Sequence, residues 1–233
     1  MKFLKEIGAD FIFKTERRPA RPTPVRPEPV SAVLPLPAPA APLAPPSKDI
    51  ASVHEEILRC QKCPLAGGRI RAVPGEGNLA TELMFVGEGP GQDEDAQGRP
   101  FVGRAGQLLT KIIAAMTYDR QNVFITNIVK CRPPKNRVPH RDEVETCAPY
   151  LLEQIKNIRP KVIVTLGKSA TDFFLPDTTG GMTSIRGRFY AWHGLQVMPT
   201  FHPSYLIRNE GNRGIKKMVW DDMQKVMALL GKK

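Results

Sequence analysis

Residues 82–106 read ELMFVGEGPGQDEDAQGRPFVGRAG, a short apolar run that breaks into glycines and then acids. The run ELMFVG (82–87) is apolar on both faces, the pattern of a strand covered on both sides of a parallel sheet. NVFITNIV (122–129) and KVIVTLG (161–167) share that character, and LQVMPTF (195–201) offers a fourth strand. In IASVHEEILRC, GQLLTKIIAAM, DEVETCAPYLLEQIKNI and RGIKKMVWDDMQKVMALL, apolar residues recur at three and four, which predicts helices. Strands alternating with helices predict an α/β fold: a three-layer α/β/α sandwich on a central, mostly parallel four-stranded sheet. Ligands of such sheets lie beyond the carboxyl ends of the strands. The residues just after each strand are therefore the candidates for function.

After the first strand, Gly87, Gly89 and Gly91 are spaced G-x-G-x-G, with Gln92 where a dinucleotide fingerprint needs its last glycine. No Lys-Ser/Thr follows them. The later GKS (167–169) has Val162 where a P-loop needs glycine, and Asp93, Glu94 and Asp95 would repel a phosphate chain. No nucleotide cofactor is expected. The second strand ends at Asn127, whose carboxamide offers a donor and an acceptor side by side, suited to the edge of a nucleobase or to tying a turn. LGKSA opens a helix after the third strand, so Lys168 and the Ser169 hydroxyl could seat one phosphate. TFHPSYLIR follows the fourth strand. There Pro203 should hold His202 near the strand end, and Leu206, Ile207 and Arg208 should project from a loop as an apolar wedge beside a cation.

The net charge is +11, of which residues 1–48 contribute +4 and the remainder +7. A domain that basic plausibly meets a polyanion such as a nucleic-acid backbone. No run approaches the roughly 18 apolar residues of a membrane span, and the charged start MKFLKEIGADFIFKTERR lacks a cleavage site, so a cytoplasmic protein without membrane attachment is expected. Eleven of the 23 prolines fall between Pro19 and Pro46, predicting an extended linker without a core. The chain divides into a short amphipathic segment (1–18) that could dock a protein partner, a Pro/Ala-rich flexible linker (19–48) and a globular domain (49–233). Cys60, Cys63, Cys131 and Cys147 are compatible with zinc or with a [4Fe–4S] cluster, and their spacing does not separate the two.

GEGPGQDEDAQGRPFVGRAG, TNIVKCRPPKNR and HPSYLIR, taken with the four cysteines, resemble the family 4 uracil-DNA glycosylases over about residues 50–230. The resemblance implies a monofunctional, monomeric enzyme that hydrolyses the N-glycosidic bond of uracil in single- or double-stranded DNA. It implies that Glu88, Gly89 and Pro90 line the uracil pocket, Phe101 stacks on the base and Asn127 reads the edge that distinguishes uracil from cytosine. His202 would meet O2, and Glu94 would exclude the thymine methyl. Lys168, Ser169 and Ser204 would contact phosphates while Leu206 or Ile207, beside Arg208, enters the stack. The cysteines would hold a structural [4Fe–4S] cluster. Related families place Asp or Asn two residues after the first glycine to position water. Gly89 stands there in this chain, as in family 4, leaving Glu88 either to hold the water or only to bind the base. Two rival readings are covalent trapping through His140 and a non-catalytic DNA-binding module with a four-cysteine metal site.

Overall fold

The computed structural model describes residues 42–232; the predicted N-terminal segment and most of the predicted linker lie outside them. The four expected strands form as β2 (Leu83–Gly87), β3 (Phe124–Asn127), β4 (Val162–Leu166) and β6 (Leu195–Thr200), joined by parallel pairings. Two short edge strands bring the sheet to six rather than four: β1 (Glu76–Gly77), antiparallel to β3, and β5 (Tyr190–Trp192), antiparallel to β6. The order is β1-β3-β2-β4-β6-β5. At two and three residues, β1 and β5 are too short to show a hydrophobic period, which is why the sequence does not announce them.

Alternate side chains of each strand feed opposite layers. Leu83 and Phe85 join Leu109, Ile113, Val219 and Met223 from the helices Arg104–Ala115 and Arg213–Leu229. Met84 and Val86 join Leu151, Ile155, Ala170 and Phe174 from the helices Arg141–Ile158 and Lys168–Phe174. Both faces of the sheet are thus covered, as continuous apolar strands require. A buried carboxylate ties the last helix to the sheet: Asp222 accepts Thr200 Oγ1 at 2.6 Å and Arg186 Nε at 2.9 Å. A third, smaller apolar cluster under the helix Ile50–Arg59 gathers Val53, Ile57, Leu65 and Tyr150 around the cysteines.

Of the stretch read as a linker, residues 42–48 run against the domain. Leu43 packs on the second core layer, Ser47 N donates to Glu153 Oε2 at 2.8 Å, and Asn157 Nδ2 donates to the Lys48 carbonyl at 2.9 Å.

Candidate active site and cysteine cage

The carboxyl ends of the four parallel strands open onto a cavity of about 580 Å3, a size that accepts a small organic group. Each strand delivers residues to it: Glu88, Gly89 and Pro90 after β2, Asn127 from the end of β3, Lys168 and Ser169 after β4, and His202, Ser204 and Arg208 after β6. Parallel pairing sets Gly87 beside Asn127 in register. A Cβ on Gly87 would come within 2.5 Å of both Asn127 Oδ1 and Phe101 Cζ. Glycine here is what allows an aromatic ring and a carboxamide to close on the same strand end.

Phe101 reaches the cavity from the loop between β2 and the helix Arg104–Ala115, with φ at 50° in the left-handed region. Glu94 sets that conformation. One carboxylate oxygen accepts Val102 N at 2.8 Å and Gly103 N at 2.9 Å, and the other accepts Gly91 N at 3.1 Å. Asp95 does similar work, accepting Ile70 N at 2.9 Å. Two of the three acids that made a phosphate loop implausible, Glu94 and Asp95, are thus buried struts, while Asp93 is exposed. Glu94 lines the cavity with its charge already engaged by amides.

Asn127 is 1% exposed, and among the described residues its Oδ1 is the one buried side-chain oxygen or nitrogen without a hydrogen-bond partner. A buried polar atom left unpaired costs stability, so a ligand that supplies a donor here gains what folding forgoes. His202 faces the Phe101 ring at 5.8 Å between centroids. Its Nδ1 accepts Ser204 N–H at 3.1 Å and lies 2.7 Å from Ser204 Oγ. That assigns the ring proton to Nε2. Burial, aided by the charge of Arg208, pulls the His202 pKa down to about 4, so the imidazole is neutral at physiological pH. Glu88 accepts the hydroxyl of Ser169, which fixes the carboxylate at the cavity wall.

Several residues expected at a DNA backbone are engaged inside the protein. Ser204 orients His202, Ser169 orients Glu88, and Lys168 pairs with Asp172. HPSYLIR forms no projecting loop. His202 caps a helix from Pro203 to Arg208, where proline at the first position is favourable. One turn of helix carries Leu206 inward to 3% exposure in the first core layer, while Ile207 is half-buried and Arg208 exposed. Leu206 is a core residue, and its burial excludes it as an exposed wedge. His140 is exposed at the start of the helix Arg141–Ile158 and does not line the cavity.

Sequence reasoning missed Lys130. It is 1% exposed, and its ammonium donates to Thr126 Oγ1 at 2.6 Å, the Asn127 carbonyl at 2.8 Å and Gln154 Oε1 at 2.8 Å. Three donors meet three acceptors, which is what a buried ammonium requires. Burial draws its pKa down to about 7. The signal was a lysine closing the apolar run FITNIVK, a position that amphipathic surfaces rarely give to charge.

Beyond Lys130 the four cysteines ring one small cavity, with Ile57, Arg69 and Tyr150 among its walls. Cys60 and Cys63 follow the helix Ile50–Arg59, Cys131 follows β3, and Cys147 lies on the helix Arg141–Ile158. Arg69 donates to Cys131 Sγ at 3.0 Å and Lys130 N to Cys147 Sγ at 3.3 Å. Burial raises the Cys131 thiol and pushes Cys147 up to about 11. Among the described residues, no three Cys, His, Asp or Glu side chains converge on the position of one ion. Zinc would draw its sulfurs to about 2.3 Å from a common point. Four thiols around one small cavity, with Arg69 and the Lys130 amide as donors beside them, are a donor set compatible with an iron–sulfur cluster.

A family model described as the uracil DNA glycosylase superfamily matches residues 74–224. A protein of Thermotoga maritima named type-4 uracil-DNA glycosylase is 47% identical over 181 residues, covering 77% of this chain and 94% of its own. A protein of the same name from Saccharolobus solfataricus is 46% identical over 189 residues, covering 78% and 86%. A type-5 uracil-DNA glycosylase from Pyrobaculum aerophilum is 32% identical over 165 residues, covering 64% and 72%.

Proposed function

The chain belongs to the uracil-DNA glycosylase superfamily, among the type-4 enzymes, and we propose that a neutral histidine, a carboxamide and a carboxylate at the strand ends carry its reaction. The protein is a uracil-DNA glycosylase that excises uracil from DNA in DNA repair. The observation that carries the assignment of roles is the unpaired, buried Asn127 Oδ1 in the cavity that Phe101 and His202 also line.

An extruded uracil stacks on Phe101 and sets its N3–H and O4 against the Asn127 carboxamide. Cytosine presents the opposite donor and acceptor pattern on that edge. Gly89 and Pro90 let the base approach the backbone, and Glu94, held by three amides, walls off the position of a thymine methyl. As the N-glycosidic bond breaks, negative charge grows on uracil and His202 Nε2–H donates to O2. A donor fixed in advance stabilises that charge without reorganising. Glu88, with one oxygen bound to Ser169, uses the other to hold the attacking water and faces the positive charge building on the sugar. Lys168, the one lysine lining the cavity among the described residues, is paired with Asp172, so the product is an abasic site without strand cleavage.

Cys60, Cys63, Cys131 and Cys147 are assigned to a [4Fe–4S] cluster, which supplies a rigid brace and takes no part in bond breaking. Four free thiols fit a reducing cytoplasm. Arg208, exposed at the cavity rim, is assigned to the DNA backbone.

The test is a labelled oligonucleotide bearing one uracil, incubated with protein and then treated with alkali. Breaks at uracil, none at thymine or cytosine, and a loss on the order of 10²–10³ in rate for His202→Ala are expected. Full activity in His202→Ala would overturn the assignment.

A further inference from the structure

An enzyme that draws a base into a cavity must fill the gap left in the stack, and the wedge must be apolar, exposed, stiff and close to the cavity mouth. Leu206 fails on exposure. Of the large apolar side chains exposed among the described residues, Val138 alone lines the cavity, and it is 61% exposed. From this we infer that Val138 is the residue that enters the DNA stack as uracil leaves it. The inference rests on the glycosylase reading.

The loop that carries Val138 is built to resist a load. Glu143, 2% exposed, accepts both Nη atoms of Arg137 at 2.7 and 2.8 Å and the His140 amide at 2.7 Å. Those bonds bracket Val138 on either side. Arg137 holds the Glu143 carboxyl below its ordinary value, so the anchor is ionised at neutral pH. Arg132 Nε donates to Asn136 Oδ1 at 2.8 Å, fixing a bend in which Lys135 and Asn136 both have φ of 55°. Such backbone persists where its surroundings over-determine it. Pro139 is buried beside Val138, and a β-branched side chain has one soft torsion to lose. Lys135, exposed at the same bend and without an ion pair among the described residues, offers a charge to the flanking phosphate.

Val138→Ser and Ile207→Ser are to be compared with the wild type in single-turnover excision of uracil from a single strand and from the same strand in a duplex. Fluorescence of a 2-aminopurine beside the uracil reports unstacking. For Val138→Ser, the duplex rate should fall on the order of 10-fold or more while the single-strand rate stays within about twofold, with the fluorescence rise lost and Val138→Leu restoring both. An unchanged ratio of duplex to single-strand rates in Val138→Ser overturns the inference, as does a duplex-specific loss in Ile207→Ser alone. A wild-type protein that leaves uracil intact in both substrates would sink the glycosylase reading instead.

Discussion

The strand-end cavity and the cysteine cage stand on either side of one short segment, Asn127 to Cys131, and they are held by different means. In the cavity nearly every functional group is tied by hydrogen bonds within the protein: Glu94 to three amides, His202 to Ser204, Glu88 to Ser169. Among the described residues, the Asn127 Oδ1 is the one buried side-chain oxygen or nitrogen that waits for a partner. In the cage the thiols come from two helix ends, a loop and a helix face, and burial disfavours the thiolates that bind metal. The cavity is thus preorganised by the chain itself, whereas the cage would be completed by the cluster proposed for it. Lys130 joins the two, with its ammonium on the Asn127 carbonyl and its amide on Cys147.

Mutations should separate the two regions. The largest effect belongs to the cavity: Asn127→Ala should lower uracil excision on the order of 10²–10³-fold while leaving iron content and melting temperature unchanged. Loss of iron in that variant would show the regions to be one cooperative unit. Next comes the cage. Cys147→Ser should release iron and cost about 3 kcal/mol, read as a fall of roughly 6–12 °C in melting temperature. Excision at 25 °C by the remaining folded protein should stay within about tenfold of wild type, since the cage touches no substrate; a complete loss in folded protein would break the comparison.

The bridge gives a middle-sized effect. Lys130→Met leaves Thr126, Gln154 and the Asn127 carbonyl short of a donor, and should cost about 2 kcal/mol. It should also slow excision several-fold by loosening Asn127, while Lys168→Met, outside the bridge, should not change stability measurably. The smallest effect is in pH. A His202 that titrates near 4 rather than at the ordinary 6.5 stays neutral from pH 6 to 8, so excision should vary less than about twofold there on its account. The unfolded chain takes up that proton below 6.5 while the native state resists until about 4, so folding weakens as pH falls through this window. A His202 imidazole resonance titrating near 6.5 in the folded protein would contradict the neutral assignment.

Much of this was legible before any coordinates. The strand ends named Asn127, Ser169 and His202 because a parallel sheet gathers at one edge the residues that leave its strands, however far apart they lie in the chain; Glu88 came only with the family resemblance. The cysteines were visible as a set, though not as a cage with separated thiols. Less was legible wherever one side chain acts on another. Glu94 and Asp95 look like surface charge in a string of acids, and only folding brings the amides that consume them. HPSYLIR looks like a loop because proline and histidine break periodicity, yet His202 is a cap and Pro203 a first helical residue.

By itself the sequence determined the layering of the fold and the chemical types available at its active edge. Both come from local patterns: apolar runs that must be covered, and polar residues placed where those runs stop. Only the tertiary structure decided how those residues are used, because burial, tautomer and partner depend on groups far apart in the chain. It withdrew Leu206 into the core, left Val138 exposed on a braced loop, gave His202 its neutral form, and placed Lys130 between the strand end that carries Asn127 and the thiols.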